Sequence, residues 1–188
     1  MGCTVSQMTY TDSLHKQTAA TPGHGAQRVH VFTDKEKHCI RRTWKVVSND
    51  MPTVGGKIFE KIFHLNPQVK QMFSFPDVTG VELARDARFR GHAFRFMQVL
   101  GASVDNIGEL DDIMGPMLLD LGSQHYHYPG FKMHYFDVFI IAILDVFAEE
   151  LGSKYNEKVY NAWRHVVDFI IMKLKEGCMN AVDNKDRE

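Results

Sequence analysis

A chain of 188 residues with 44% hydrophobic and 24% charged side chains has the size of one globular domain plus a short extension, large enough to bury a core. Its formal charge of −1, with ten histidines counted neutral, lacks the broad basic footprint of a nucleic-acid binder, so no nucleic-acid partner is expected. Cys3, Cys39 and Cys178 are an odd count at wide spacing; they form neither a disulfide framework nor a zinc pattern and suggest a reducing compartment.

Residues 1–32 are rich in Thr, Ser, Gln, Gly and His, with no helical period, and read as a flexible extension. Order is expected from Thr33, where Thr33-Asp34-Lys35-Glu36 spells a capping box. Ile40, Trp44 and Val47 then share one helical face as far as about Asp50. Pro52 opens a second helix carrying Val54, Ile58, Ile62 and Phe63 on one side. Asn66-Pro67 ends it, a short turn leads toward Phe73, and Pro76-Asp77 marks a loop.

The spacing predicts a third long helix from about Val81 to Ser103, with Phe89, Ala93, Phe96 and Leu100 inward. A fourth runs from about Leu110 to Tyr126 with Ile113, Met117 and Leu121 at four-residue steps, and Pro129-Gly130 breaks it. Two more follow, roughly 131–151 and 154–176, the last closed by Gly177 and followed by a polar tail over 179–188. No alternating run suggests a sheet, so the expected class is all-α. The longest apolar run, Val138 to Leu144, is too short for a bilayer, which takes about 20 residues, and the N-terminus lacks the apolar stretch of a secretory signal. A cytosolic protein is expected unless something anchors it.

Two histidines stand out by register. His125 follows Leu121 by four residues, and His92 lies between Phe89 and Phe96, so helical geometry turns both inward from different helices. An iron porphyrin needs a neutral imidazole on one face and an apolar slot for its ring, and a residue opposite controls what binds the sixth position. The same placement also suits two packed core histidines. His127 beside His125 leaves a zinc or copper site as a third reading, although no Cys or acidic residue stands at ligand spacing. His38, His64, His134 and His165 read as surface or packing residues.

Leu121-Gly122-Ser123-Gln124-His125 resembles the Leu-Gly-x-x-His run around the iron-ligating histidine of animal globins, and Phe89-Arg90-Gly91-His92 resembles the Phe-x-x-His of their distal helix. Phe73, after Leu65-Asn66-Pro67, is similar to the phenylalanine that stacks on the haem, and Trp44 and Trp163 to the tryptophans of the first and last helices. The likeness spans residues 33–178 and is closest to neuroglobin and nerve-type globins. It implies a globin fold of about eight helices around a haem b pocket, with His125 proximal and His92 distal. Phe59, Phe73, Phe96, Leu121 and Phe131 would line that pocket, and Arg95 would meet a propionate. The segment after His125 is about one residue longer than the family pattern, which bears on where Phe131 falls.

Two phenylalanines in the distal pocket offer bound gas no hydrogen bond, which favours ligation of the iron by His92 itself. The resemblance therefore implies a six-coordinate globin that binds O2, NO or CO and exchanges electrons with a reductase or small donor. Oxygen storage or transport is the alternative, and a haem-free interaction module a third. No dedicated catalytic machinery is evident. Met1-Gly2-Cys3-Thr4-Val5-Ser6 fits an N-myristoylation signal, with Cys3 available for palmitate. One myristoyl chain binds membranes only marginally, so the second chain matters. Dual acylation, as in membrane-bound invertebrate globins, would place the protein on the cytoplasmic side of a membrane.

Overall fold

The structure, a computed structural model, describes residues 30–185. The expected lipidation sites Gly2 and Cys3 lie outside them. Among the described residues there are eight α-helices, three short 3-10 turns and no strand. No helix among the described residues is long and apolar enough to cross a membrane.

Helix α1, Asp34–Val47, begins at the expected capping box. The Glu36 carboxylate accepts the Thr33 N–H at 2.8 Å, and the Thr33 hydroxyl accepts the Glu36 N–H at 3.3 Å. Phe32, just ahead of the cap, is already buried in the core. Helix α2, Met51–Leu65, opens on Asp50, whose side chain accepts the Thr53 N–H. It buries Val54, Ile58, Ile62 and Phe63 as their spacing predicts, together with Phe59. The short α3, Pro67–Lys70, is capped by Asn66.

The helix expected over 81–103 is two helices, α4, Gly80–Arg85, and α5, Ala87–Asp105. Asp86 breaks it. Its backbone is extended (ψ 121°), and its carboxylate accepts the Arg88 and Phe89 N–H groups at 2.8 and 3.3 Å, ending one helix and capping the next. Helix α6, Leu110–Tyr126, has the expected span but a different buried face. Ile113 and Met117 are 46% and 42% exposed, while Leu110, Met114, Leu118 and Gly122 are buried. The inward stripe is thus displaced by one residue, and Leu121 and His125 lie half-buried along its edge.

The next helix starts later than expected. Gly130, at φ +81°, and extended Lys132 precede a 3-10 turn at Met133–Phe136, and α7 runs over Asp137–Leu151. Phe131 therefore stands outside any helix. The last helix, α8, spans Glu157–Lys185 and passes straight through Gly177. A residue that reads as a helix stop in sequence is a packing device here. A Cβ at Gly177 would stand 2.0 Å from the Leu119 carbonyl oxygen, and one at Gly122 would stand 2.1 Å from that of Leu174. These reciprocal contacts make α6 and α8 cross antiparallel, backbone against backbone, at the most extensive helix interface of the fold. The Cys178 thiol donates to the Gly122 carbonyl at 3.0 Å across the same crossing, and both Cys39 and Cys178 are free thiols.

A second close crossing joins α2 to α5, where a Cβ at Gly55 would stand 2.6 Å from the Ala93 carbonyl oxygen. On the other side of the core the Trp44 and Trp163 rings pack at 6.0 Å. The buried Trp163 indole N–H donates to the Thr43 hydroxyl at 2.9 Å, so this buried donor is satisfied. Replacing Gly122 or Gly177 with Ala is expected to lower unfolding free energy by about 3 kcal/mol, the upper end of overpacking costs. Gly108→Ala, where an added Cβ meets nothing within 4 Å, should stay within about 0.5 kcal/mol of wild type. Urea titration followed by circular dichroism compares the three.

Candidate functional site

His92 sits on α5 next to Ala93, so the Gly55 crossing sets how far its side chain reaches. Its ring is half-buried among aromatic edges, with Phe59 and Phe73 both at 4.9 Å between centroids and T-shaped. Phe96 meets Phe59 at 5.3 Å. The structure thus gathers His92, Phe59, Phe73 and Phe96, all four of which the sequence nominated.

His125 occupies the last turn of α6, one turn beyond the Gly122 crossing. Its Nδ1–H donates to the Leu121 carbonyl at 2.7 Å. A carbonyl can only accept, so this bond assigns the proton to Nδ1 and leaves Nε2 as a free lone pair. Phe131 lies 5.6 Å from the His125 ring despite the longer connection, and Phe136 lies 5.3 Å away. Tyr128 flanks it at 5.9 Å.

Two residues join these clusters, and the sequence did not nominate either as lining the site. Phe139 on α7 touches Phe59 at 5.7 Å and Phe96 at 5.9 Å, and it meets Phe136 at 6.3 Å. The path from His92 to His125 thus runs Phe59, Phe139, Phe136. Their three-residue spacing places Phe136 and Phe139 on one face, and this was the signal available in sequence. Arg95 is exposed at the rim, yet its charge is felt by His92.

The electrostatics follow from burial. Loss of water, then the charge of Arg95, then His125, push the His92 imidazole down to about 4. Burial also lowers His125, and its bond to the Leu121 carbonyl opposes this without reversing it. Both rings are therefore neutral at pH 7, the form that binds a metal. Among the described residues His127, at the C-cap of α6, joins no cluster of three metal-ligating side chains. Two neutral nitrogen donors on separate helices, walled by phenylalanines, suit a flat apolar group with a metal at its centre. Nothing in this donor set conflicts with a haem.

A globin sequence profile matches residues 56–174. The chain is a globin. It is 27% identical over 147 residues to an anaerobic nitrite reductase of Brassica napus, covering 77% of this chain and 91% of that one. Cytoglobin-2 of Danio rerio is 28% identical over 152 residues, covering 80% and 84%. Among solved structures, a hexacoordinated heme protein from an anhydrobiotic tardigrade superposes with a TM-score of 0.73 at 23% identity, covering 79% of this chain and 96% of that one. The globin is thus a haem-binding protein of a family that binds diatomic gases, and α1 to α8 form the globin fold.

Phe59 is the hub of this globin's aromatic slot, 1% exposed and in contact with Phe63, Phe73, His92, Phe96 and Phe139. Phe59→Ala is expected to cost about 3–5 kcal/mol of stability, read by chemical unfolding.

Proposed function

We propose that this globin holds haem b between α5 and α6, with His125 as the protein ligand to the iron and His92 as the ligand opposite. The observation that carries this reading is the pair of neutral imidazoles reaching one aromatic slot from two helices. When bound, the haem supplies an iron that takes small diatomic ligands and moves between ferrous and ferric states. The chain's own residues determine how that iron is used. The Leu121 carbonyl holds the His125 tautomer and ring orientation, as an outer partner does for a metal-ligating histidine.

On the opposite side, Phe59, Phe73 and Phe96 carry no hydrogen-bond donor for a bound gas. His92 is the polar group there, and among the described residues no hydrogen bond ties its ring elsewhere. A greasy, crowded slot favours ligation by His92 over an open position for stored oxygen. The tardigrade protein of similar fold is a hexacoordinated heme protein, which supports this assignment. Leu121 and Phe131 line the His125 side, and Arg95 at the rim is placed to pair with a propionate. Attachment is non-covalent, because the three cysteines form no Cys-x-x-Cys-His run. Such a site suits redox or oxygen signalling, with a reductase or small donor returning the electron.

We further propose that Gly2 and Cys3 carry myristate and palmitate and hold the globin at the cytoplasmic side of a membrane. A surface-held globin offers little volume for oxygen storage, which supports the signalling role.

The absorption spectrum of the reduced, ligand-free protein tests the iron assignment. Six-coordinate bands are expected, changing to five-coordinate in His92→Leu, and His125→Ala should retain haem at least tenfold more weakly. A plainly five-coordinate wild type overturns the assignment of His92. For the anchor, Gly2→Ala should move the protein from the membrane to the soluble fraction of cells expressing it. Unchanged membrane association removes that proposal.

A further inference from the structure

Away from the aromatic slot, three metal-ligating side chains meet where the chain enters the domain. His30 precedes α1, Glu36 lies in the first turn of α1, and His165 lies on α8. The Nε2 of His30 is 3.0 Å from Glu36 Oε1, and the Nδ1 of His165 is 3.5 Å from the same oxygen. All the donor atoms lie within 4.8 Å of one another. The two imidazoles stack at 3.7 Å and 25°. Phe32 flanks the stack, with its ring 4.8 Å from His30 and 6.5 Å from His165.

The capping box explains why Glu36 Oε1 is available. Its other oxygen, Oε2, accepts the Thr33 N–H at 2.8 Å and the Thr33 hydroxyl at 2.7 Å. That pairing holds the carboxylate still and turns Oε1 toward both rings.

Three observations separate this cluster from an ordinary ion pair. His165 Nδ1 is buried without a hydrogen-bond partner, a deficit that native structures usually satisfy with water or an ion. A single carboxylate oxygen, Glu36 Oε1, faces nitrogens of two different imidazoles at once, where an ordinary ion pair has one partner. The spacing also fits, because ligand atoms of a tetrahedral zinc with bonds of about 2.0–2.1 Å stand about 3.3 Å apart. The two nitrogen-to-carboxylate separations, 3.0 and 3.5 Å, bracket that value, and ligation by both imidazoles requires the stacked rings, 3.7 Å apart between centroids, to open.

We propose that His30, Glu36 and His165 form a divalent-metal site of the zinc type, which fastens the segment entering the domain to the last helix. Two imidazoles and one carboxylate, with no thiolate, are a donor set zinc accepts. The side chains are 35%, 23% and 38% exposed, so the fourth position is open to water. The site is independent of the iron assignment, since none of its residues borders the aromatic slot.

Zinc(II) titrated into the full-length, haem-loaded protein, against a chromophoric chelator at neutral pH, tests this. Wild type is expected to bind one equivalent at this site and to gain thermal stability. His30→Ala and His165→Ala should each weaken that binding at least tenfold, and Glu36→Gln, which keeps the capping geometry, should weaken it too. His30 lies ahead of the first helix, so its replacement leaves the fold intact by circular dichroism and the haem spectrum unchanged. Failure of wild type to bind zinc at tens of micromolar, or equal binding by wild type and both histidine variants, overturns the proposal.

Discussion

The candidate site depends on how closely helix backbones can approach one another. Helices separated by ordinary side chains lie about 8–10 Å apart. At Gly122 and Gly177 this globin removes the Cβ from both sides of one crossing, and at Gly55 from one side of another. The first brings α6 onto α8 within a turn of His125. The second brings α2 onto α5 beside Ala93, the neighbour of His92. Each imidazole therefore projects from a helix whose depth is set by backbone contact, which deforms less than a side-chain contact does. The Cys178 thiol, donating to the Gly122 carbonyl, adds a polar tie at the same point.

With both helices placed, desolvation determines the chemistry. An exposed histidine is partly protonated near neutral pH, and a protonated ring cannot bind a metal. Inside the aromatic slot the charged form is disfavoured at both positions. At His125 the Leu121 carbonyl further selects one tautomer. The phenylalanines thus act beyond packing: they exclude the water that would let the imidazoles charge, and they leave the slot poor in hydrogen-bond donors. Neutral donors and an apolar lining arise from the same rings.

Some departures from the sequence expectation share one cause. Gly177 and Asp86 are local signals with two physical uses. A glycine ends a helix or permits a close crossing, and periodicity alone does not choose between them. The repeated Leu-x-x-Gly at Leu119–Gly122 and Leu174–Gly177 was the visible hint. Asp86 lies within an otherwise helical pattern, yet its carboxylate serves the following helix as a cap. Ile113 and Met117 satisfy the four-residue step as well as Met114 and Leu118 do, and only the position of α8 selects the second set.

Sequence by itself determined the all-helical class, most helix spans, the capping box at Thr33, and the nomination of His92, His125, Phe59, Phe73 and Phe96. These rest on period, local hydrogen bonding and the ordered family motifs, all of which act along the chain. Tertiary structure alone decided that Phe136 and Phe139 close the slot between the two histidines. It also decided that His30, Glu36 and His165 meet, and that burial holds His92 and His125 neutral. Those outcomes depend on which helix surfaces face each other and how much water they exclude; the spacing of Phe136 and Phe139 puts both on one face but does not say what that face meets.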